Sequence, residues 1–187
     1  MDTHVDKLIG LDLDGVLLDH TATKIQLAAK YGIDLKLEQT PSDVMALAVP
    51  DDIRHQLQRE LYDDPVISYQ SPLMLGTPEA LRALKDQAVP FVLITRRHNP
   101  AHTLELLKYH DLLPKHFALE HIHCVKSKEE KNTIAVKLGV THYLDDEQGV
   151  LDVMHDVPNR FLFDVYGISP KAPYPRIASL AEFIEKI

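Results

Sequence analysis

The chain of 187 residues is long enough for one domain, or one domain with an insertion, and for a sizeable buried core. Hydrophobic residues make up 45% and charged residues 26%, which excludes a disordered composition. The formal net charge of −8 disfavours nucleic acid polymers and membranes as partners, because binding to either would require a basic face.

No stretch of the sequence is typical of a membrane span or a secretory signal, so we expect a cytoplasmic location. Cys124 is the only cysteine. It can therefore form no disulfide within the chain, and a zinc site built from several cysteines is excluded.

Five short apolar runs rich in β-branched residues predict buried strands. They cover residues 8–13, 91–95, 117–124, 142–144 and 160–165. Between most of them, apolar residues three and four apart predict helices. These helices cover residues 78–84, 100–109, 128–138 and 177–184. Alternating strands and helices predict an α/β fold, with a three-layer, Rossmann-like core around a mostly parallel sheet.

The stretch between the first and second predicted strands is an exception, because its patterns are helical only. Predicted helices cover residues 23–31, 42–47 and 51–62, and prolines separate them. The sequence therefore predicts two domains. Residues 1–19 and 76–187 form the α/β core, and residues 20–75 form a small helical cap inserted after the first strand.

Polar residues follow the predicted strands, where open parallel sheets bind their ligands. Asp12 and Asp14 follow the first strand, and Thr95 ends the second strand, with Arg96 and Arg97 beyond it. Further along the chain, the same edge receives lysines near a helix start and acidic residues after the fourth strand. These are Lys126, Lys128, Lys131, Asp145, Asp146 and Glu147.

Carboxylates crowded at one edge repel each other unless a cation neutralises them. Mg²⁺ suits such a site, since it takes carboxylate oxygens and keeps water and phosphate as further ligands. Gly15 allows the backbone to approach a ligand closely, and its neighbouring N–H groups can bind an anion. A metal, a carboxylate nucleophile and nearby cations together favour phosphoryl transfer.

Four segments in this order resemble haloacid dehalogenase-like (HAD) hydrolases. They are DLDGV at 12–16, LIT at 93–95, a lysine near a helix start, and YLDD at 143–146. The stretch KNTIAVKLGVTHYLDD is similar to nucleotidase-like members of that superfamily. ITRR is similar to their TAR segment, with Arg97 at the arginine.

The resemblance implies a set of roles. Asp12 would be the nucleophile and form an aspartyl-phosphate. Asp14 would protonate the leaving oxygen and later deprotonate the attacking water. Asp12, the backbone carbonyl of Asp14, and Asp146 would bind Mg²⁺, and Asp145 would support that site. Residues that would bind substrate or phosphate are Gly15, Thr95, Arg96, Arg97, Lys128 and Lys131.

The choice of phosphate-binding lysine is open among three candidates. Lys131 lies 14 positions before Asp145 (145 − 131), which best fits the nucleotidase-like pattern. Lys128 is the second candidate and Lys126 the third.

The sequence thus predicts a Mg²⁺-dependent phosphatase acting on a small phosphorylated metabolite, with a nucleotide preferred over a sugar phosphate. A non-catalytic protein that binds a phosphorylated ligand is the alternative. Dehalogenation is disfavoured because HAD dehalogenases generally lack the second aspartate of the motif. A phospho-accepting receiver is disfavoured because its acidic pair precedes the phosphorylated aspartate. The sequence leaves the oligomeric state open.

Overall fold

The computed structural model of the chain describes residues 7–168 and 172–187. Six parallel strands form one sheet, in the order β3-β2-β1-β4-β5-β6. They are β1 (Ile9–Leu11), β2 (Phe91–Thr95), β3 (Ile122–Cys124), β4 (His142–Asp145), β5 (Asn159–Phe163) and β6 (Arg176–Ile177). The predicted α/β fold with a parallel, Rossmann-like sheet is confirmed.

Helices flank the sheet and fill the long connection after β1. They are α1 (Thr21–Lys30), α2 (Ser42–Ala48), α3 (Asp51–Asp63), α4 (Pro65–Ser68), α5 (Thr77–Asp86), α6 (Pro100–Tyr109), α7 (Lys128–Leu138), α8 (Gln148–Val153) and α9 (Leu180–Lys186). None of the helices in the described ranges is long and apolar enough to cross a membrane.

Local capping explains why α6 and α7 have the predicted boundaries. The Asn99 side chain accepts a hydrogen bond from the His102 backbone N–H, and Pro100 occupies the first turn of α6. Ser127 caps α7 by accepting from the Glu130 N–H, and Gly139 ends that helix with φ of +79°. Both helices begin and end where the sequence predicts.

The predicted strand over residues 117–124 is wrong in its first half. Phe117 is buried in the core, but its backbone N–H bonds to the carbonyl of Leu112 and not to a neighbouring strand. Residues 119–121 then form a 3₁₀ turn, so that β3 has only three residues. Apolar character at 117 thus reflects core packing outside the sheet.

The predicted helix over residues 177–184 is also wrong at its start. Ile177 lies in β6 and pairs with Phe163 of β5. Helix α9 begins three residues later, where Ser179 caps it by accepting from the Glu182 N–H at 3.2 Å. The short elements α4, α8 and β6 were not predicted, because segments of two to six residues are too short to show a period.

The sheet separates two hydrophobic cores, because alternate residues of its strands point to opposite faces. Leu93 packs in one core, while its neighbours Val92 and Ile94 pack in the other. A third apolar cluster lies wholly within the connection after β1 and includes Leu27, Met45 and Leu57. The connection therefore has a small core of its own, while the division into a cap and a core domain stays a prediction.

Candidate active site

Three aspartates meet where β1 and β4 end. The two strands are neighbours, and the Asp12 N–H donates to the Leu144 carbonyl just beyond their paired residues. Asp145 ends β4 and Asp146 follows it. One oxygen from each of Asp12, Asp145 and Asp146 lies within 4.8 Å of the others. The sheet thus brings together carboxylates that are more than 130 positions apart in the chain.

Lys131 of α7 connects two of these carboxylates. Its Nζ donates to Asp12 Oδ1 and to Asp145 Oδ2, each at 2.8 Å, and the side chain is 1% exposed. Lys128 instead pairs with Glu147. The Lys126 side chain forms no ion pair within the part of the chain that the structure describes. Of the three candidate lysines, Lys131 is the one that contacts the predicted nucleophile.

Burial and mutual repulsion shift the pKa values in this cluster. Burial raises the pKa of Asp12 to about 7, against the lowering effect of Lys131. Burial and the charge of Asp145 hold the pKa of Asp146 well above its usual range. Burial alone would lower the pKa of Lys131, but Asp12 and Asp145 outweigh it and raise that pKa. The cluster is therefore short of positive charge.

The Asp146 carboxylate is a candidate ligand for a cation. No hydrogen bond or ion pair to this carboxylate exists among residues 7–168 and 172–187, although the residue is half-buried. Gly15, at φ of +86°, lies against it so closely that an added Cβ would be 2.2 Å from Asp146 Oδ2. An unpaired carboxylate beside two others suits a hard divalent cation, which would satisfy all three.

Asp14 belongs to a separate group of polar side chains. Its carboxylate accepts one bifurcated hydrogen bond from the Arg97 Nε–H, at 3.0 and 3.1 Å to its two oxygens, and another from Arg97 Nη2 at 2.7 Å. It also contacts His20 Nε2 at 2.7 Å. Burial raises the pKa of Asp14, but Arg97 and His20 outweigh burial and hold that pKa well below its usual range. In this arrangement Asp14 is ionised.

Arg96 and Thr95, which are also predicted to bind ligand, form hydrogen bonds with other groups of the protein. Arg96 pairs with Glu147, which also pairs with Lys128, so all three form one ionic cluster. The Thr95 side chain is fully buried, and its Oγ1 accepts a hydrogen bond from the Arg97 N–H at 3.4 Å. Its hydroxyl is therefore not on an open surface in the described arrangement.

A cavity of about 680 Å³ lies over the strand ends. Asp12, Asp14 and Asp146 form part of its wall on the side of the sheet. Helices α2 and α3 contribute residues on the other side. The cavity therefore gives a small molecule access to Asp12 while side chains of the inserted helices surround it.

No protein-family model matches the sequence, and a search of curated proteins gave no match. Solved structures do match the fold. An HAD family hydrolase from Deinococcus radiodurans, crystallised with bound phosphate and sodium, has a TM-score of 0.65 at 19% identity over 95% of this chain and 93% of that chain. This chain has the fold of the haloacid dehalogenase-like hydrolases.

Two further structures share this HAD fold over nearly their whole length. A predicted phosphatase from Clostridium acetobutylicum is 14% identical over 96% of this chain and 97% of its own, with a TM-score of 0.65. A haloacid dehalogenase-like family protein from Streptococcus pneumoniae is 12% identical over 97% and 98%, also with a TM-score of 0.65. The resemblance noted in the sequence is confirmed at the level of the HAD fold, while the nucleotidase-like subtype stays a prediction.

Sequence reasoning missed two groups of residues that surround the candidate site. His20, which contacts Asp14 and donates to or accepts from Ser71 Oγ at 2.7 Å, lies six positions after Asp14 (20 − 14) with no motif of its own. The second group is the polar face of α3. Arg54, Gln58 and Tyr62 follow each other at intervals of four, offset from the buried Leu57 and Leu61. That helical pattern could have identified the face from the sequence.

Proposed function

We propose that the protein is a divalent-metal-dependent phosphatase that hydrolyses a small phosphomonoester through an aspartyl-phosphate on Asp12. The observation that carries the proposal is the setting of Asp12. Its carboxylate faces the cavity, Lys131 holds Oδ1, and no described residue forms a hydrogen bond with Oδ2. One oxygen is therefore oriented and the other is free to attack phosphorus.

Asp12, Asp145 and Asp146 would hold the metal, with Mg²⁺ as the proposed ion. When bound, the ion neutralises charge on the phosphoryl group and relieves the repulsion among the three carboxylates. Lys131 contacts Asp12 and Asp145 in the described arrangement and remains the proposed cationic partner of the phosphate.

In the first step Asp12 Oδ2 forms a bond to phosphorus, and the bond from phosphorus to the ester oxygen breaks. The leaving oxygen takes a proton from protonated Asp14. In the second step Asp14 takes a proton from water as the water oxygen attacks phosphorus. The bond from phosphorus to Asp12 then breaks, which releases inorganic phosphate and leaves Asp14 protonated again.

Asp14 can serve as the acid only in its protonated form. Arg97 and His20 favour the ionised form in the described arrangement. Arg97 Nη1 is a buried donor with no partner among the described residues. A substrate anion that draws Arg97 towards itself would weaken its contact with Asp14 and favour protonation of Asp14.

The predicted cap, residues 20–75, would shield the reaction from water and select the substrate. A nucleotide or a sugar phosphate is the substrate class that the sequence predicts. A cytoplasmic location also stays a prediction, and the oligomeric state stays open.

Asp12→Asn tests the proposal directly. Because the amide cannot form the acyl phosphate, release of phosphate from a generic aryl phosphate in Mg²⁺ should fall by at least about 10³-fold. Asp86→Asn, at the exposed end of α5, is the matched control and should retain full activity. Circular dichroism should show both variants folded.

Retained activity in Asp12→Asn would exclude Asp12 as the nucleophile. A wild-type protein that shows no turnover with any divalent metal, yet is protected by phosphate against thermal unfolding, would instead be a phosphate-binding protein.

A further inference from the structure

The cavity over Asp12 has few apolar groups with which to bind the organic part of a substrate. Ala46 and Tyr62 are the main apolar side chains among the residues that line it. The Tyr62 ring is already covered, since the Arg97 guanidinium lies 5.3 Å from its centroid and the His20 ring packs against it at 5.8 Å. A nucleobase would therefore find few apolar side chains, and the Tyr62 ring already has a cation and a ring as partners.

Cations are abundant in the same wall, and they divide into two sets. Arg96, Arg97 and Lys128 are paired with acidic residues of the cavity itself. Arg54, Arg59 and Lys126 also line the cavity but pair with none of its carboxylates. The second set carries positive charge that the described residues leave available to a ligand.

Arg54 and Arg59 lie on the face of α3 that borders the cavity. Arg59 is exposed and forms no ion pair among the described residues. Arg54 contacts Asp51 at 2.7 Å through Nη2, but Asp51 is 78% exposed, so solvent screens this ion pair and it stabilises little. Arg54 can therefore change partners at little cost.

Arg54 also has an unused donor. Its Nε is buried and has no hydrogen-bond partner within the described ranges. A buried donor without a partner is unfavourable, so a ligand that accepts from Arg54 after a side-chain rotation removes a cost already present. Planar guanidinium groups suit carboxylates and phosphates in particular.

Carboxylates on the cavity wall oppose this charge only in part. One oxygen of Asp43 already accepts a hydrogen bond from the Gln148 N–H at 2.9 Å. Asp63 is exposed at the end of α3, about two and a half turns from Arg54 and one turn from Arg59. Among the α3 residues that line the cavity, Arg54 and Arg59 carry positive charge and Asp63 is the acidic one.

We propose that the substrate is a small phosphomonoester with a second anionic group, and that Arg54 and Arg59 bind that second anion. This inference rests on the proposed function, because it assigns the transferred phosphate to the Asp12 end of the cavity. The second anion is a carboxylate or a second phosphate, since both present oxygens in a geometry that arginine binds. A nucleobase is not required.

Calorimetry with non-hydrolysable phosphonates, in Mg²⁺, tests the inference without depending on turnover. The probes are 4-phosphonobutanoate, its neutral amide 4-phosphonobutanamide, and propane-1,3-diylbisphosphonate. We expect the wild-type protein to bind one or both of the probes that carry a second anionic group about tenfold more tightly than the amide, or more. Tighter binding of 4-phosphonobutanoate would identify the second anionic group as a carboxylate, and tighter binding of the bisphosphonate would identify it as a phosphate.

Substitutions then assign the residues. Arg54→Gln and Arg59→Gln should each reduce the ratio of affinities several-fold, and the double variant should bring it close to one. Arg82→Gln, an exposed arginine of α5 away from the cavity, is the matched control and should leave the ratio unchanged. A double variant that keeps the wild-type ratio would overturn the assignment to α3.

Equal affinities for the three probes, or no measurable binding of any, would overturn the inference while leaving the phosphatase proposal intact if aryl phosphate is hydrolysed. A nucleoside monophosphate that binds more tightly than both probes with a second anionic group would also overturn it. Tighter binding of the probes with a second anionic group, without any hydrolysis of aryl phosphate, would support the second-anion site and contradict the phosphatase proposal.

Discussion

The strand-end side of the cavity and its α3 side hold their charges in different ways. At the strand ends, Lys131 is 1% exposed and lies between two carboxylates on two different strands. On α3, Arg54 is 19% exposed and pairs with a carboxylate one turn away on the same helix. Buried partners on separate strands are fixed by the whole sheet, whereas a local pair near solvent can exchange partners. The first arrangement suits the proposed reaction at Asp12, and the second suits the proposed binding of a second anion.

Substitution of two lysines near the start of α7, Lys131 and Lys128, tests this contrast with the largest expected effect. Lys131→Ala leaves Asp12 and Asp145 buried without their cation, so the free energy of unfolding should fall by about 3–5 kcal/mol in metal-free buffer. Lys128→Ala should cost about 1 kcal/mol or less, because Glu147 keeps Arg96 as a partner and Lys128 is 29% exposed. Urea unfolding in EDTA measures both.

Equal losses for the two lysine variants would break the contrast, because they would mean that burial does not distinguish the strand-end charges. The same pair also compares phosphate binding. Lys131→Ala should weaken it more than Lys128→Ala, and the reverse order would move the phosphate-binding role to Lys128.

A methyl group at Gly15 tests whether Asp146 holds a metal. In Gly15→Ala the new Cβ would lie 2.2 Å from Asp146 Oδ2, so the carboxylate must move. We expect Mg²⁺ affinity, measured by calorimetry, to fall about 10–100-fold. Gly139→Ala is the control, since its φ of +79° imposes a similar backbone strain but no atom lies within 4 Å of the added Cβ.

The Gly139 variant should lose about 1–2 kcal/mol of stability and keep its Mg²⁺ affinity. Unchanged affinity in Gly15→Ala as well would show that Asp146 is not a ligand, and the proposed metal site would have to be abandoned.

The raised carboxyl pKa values predict a smaller, graded effect of pH. Burial raises the pKa of Asp12 to about 7 and holds that of Asp146 well above its usual range, so both bind protons in weakly acidic buffer. Mg²⁺ must displace these protons, so its affinity should increase as pH rises towards 7, by about tenfold per pH unit for each proton displaced. Calorimetry in buffers of different pH measures the slope, and a flat profile would contradict the charge-deficient cluster.

In the metal-free protein, the raised pKa of Asp12 makes stability decrease with rising pH, whereas Mg²⁺ affinity increases. Between the unfolded value of 3.8 and about 7, folded Asp12 retains a proton that the unfolded chain has lost. The contribution of Asp12 to stability is therefore present at low pH and is lost as pH rises through about 7. Asp14 acts in the other direction, because its lowered pKa adds stability that is lost as pH falls.

Much of the fold could be predicted from local patterns in the sequence. The strand at 91–95 and the helices at 100–109 and 128–138 have the predicted bounds, because their periodicity and caps are encoded within about ten residues. Phe117 and Ile177 were assigned to the wrong elements. Both are apolar because of packing between distant segments, which local periodicity does not reveal.

The sequence by itself determined which groups could form the site, since the aspartates and lysines follow strands or begin a helix in a recognisable order. Only the tertiary structure decided which of them meet. Sheet order made β1 and β4 neighbours, so Lys131 contacts Asp12 and Asp145, while Arg97 contacts Asp14. Such pairings depend on side-chain direction and burial across the fold, and a linear spacing carries neither.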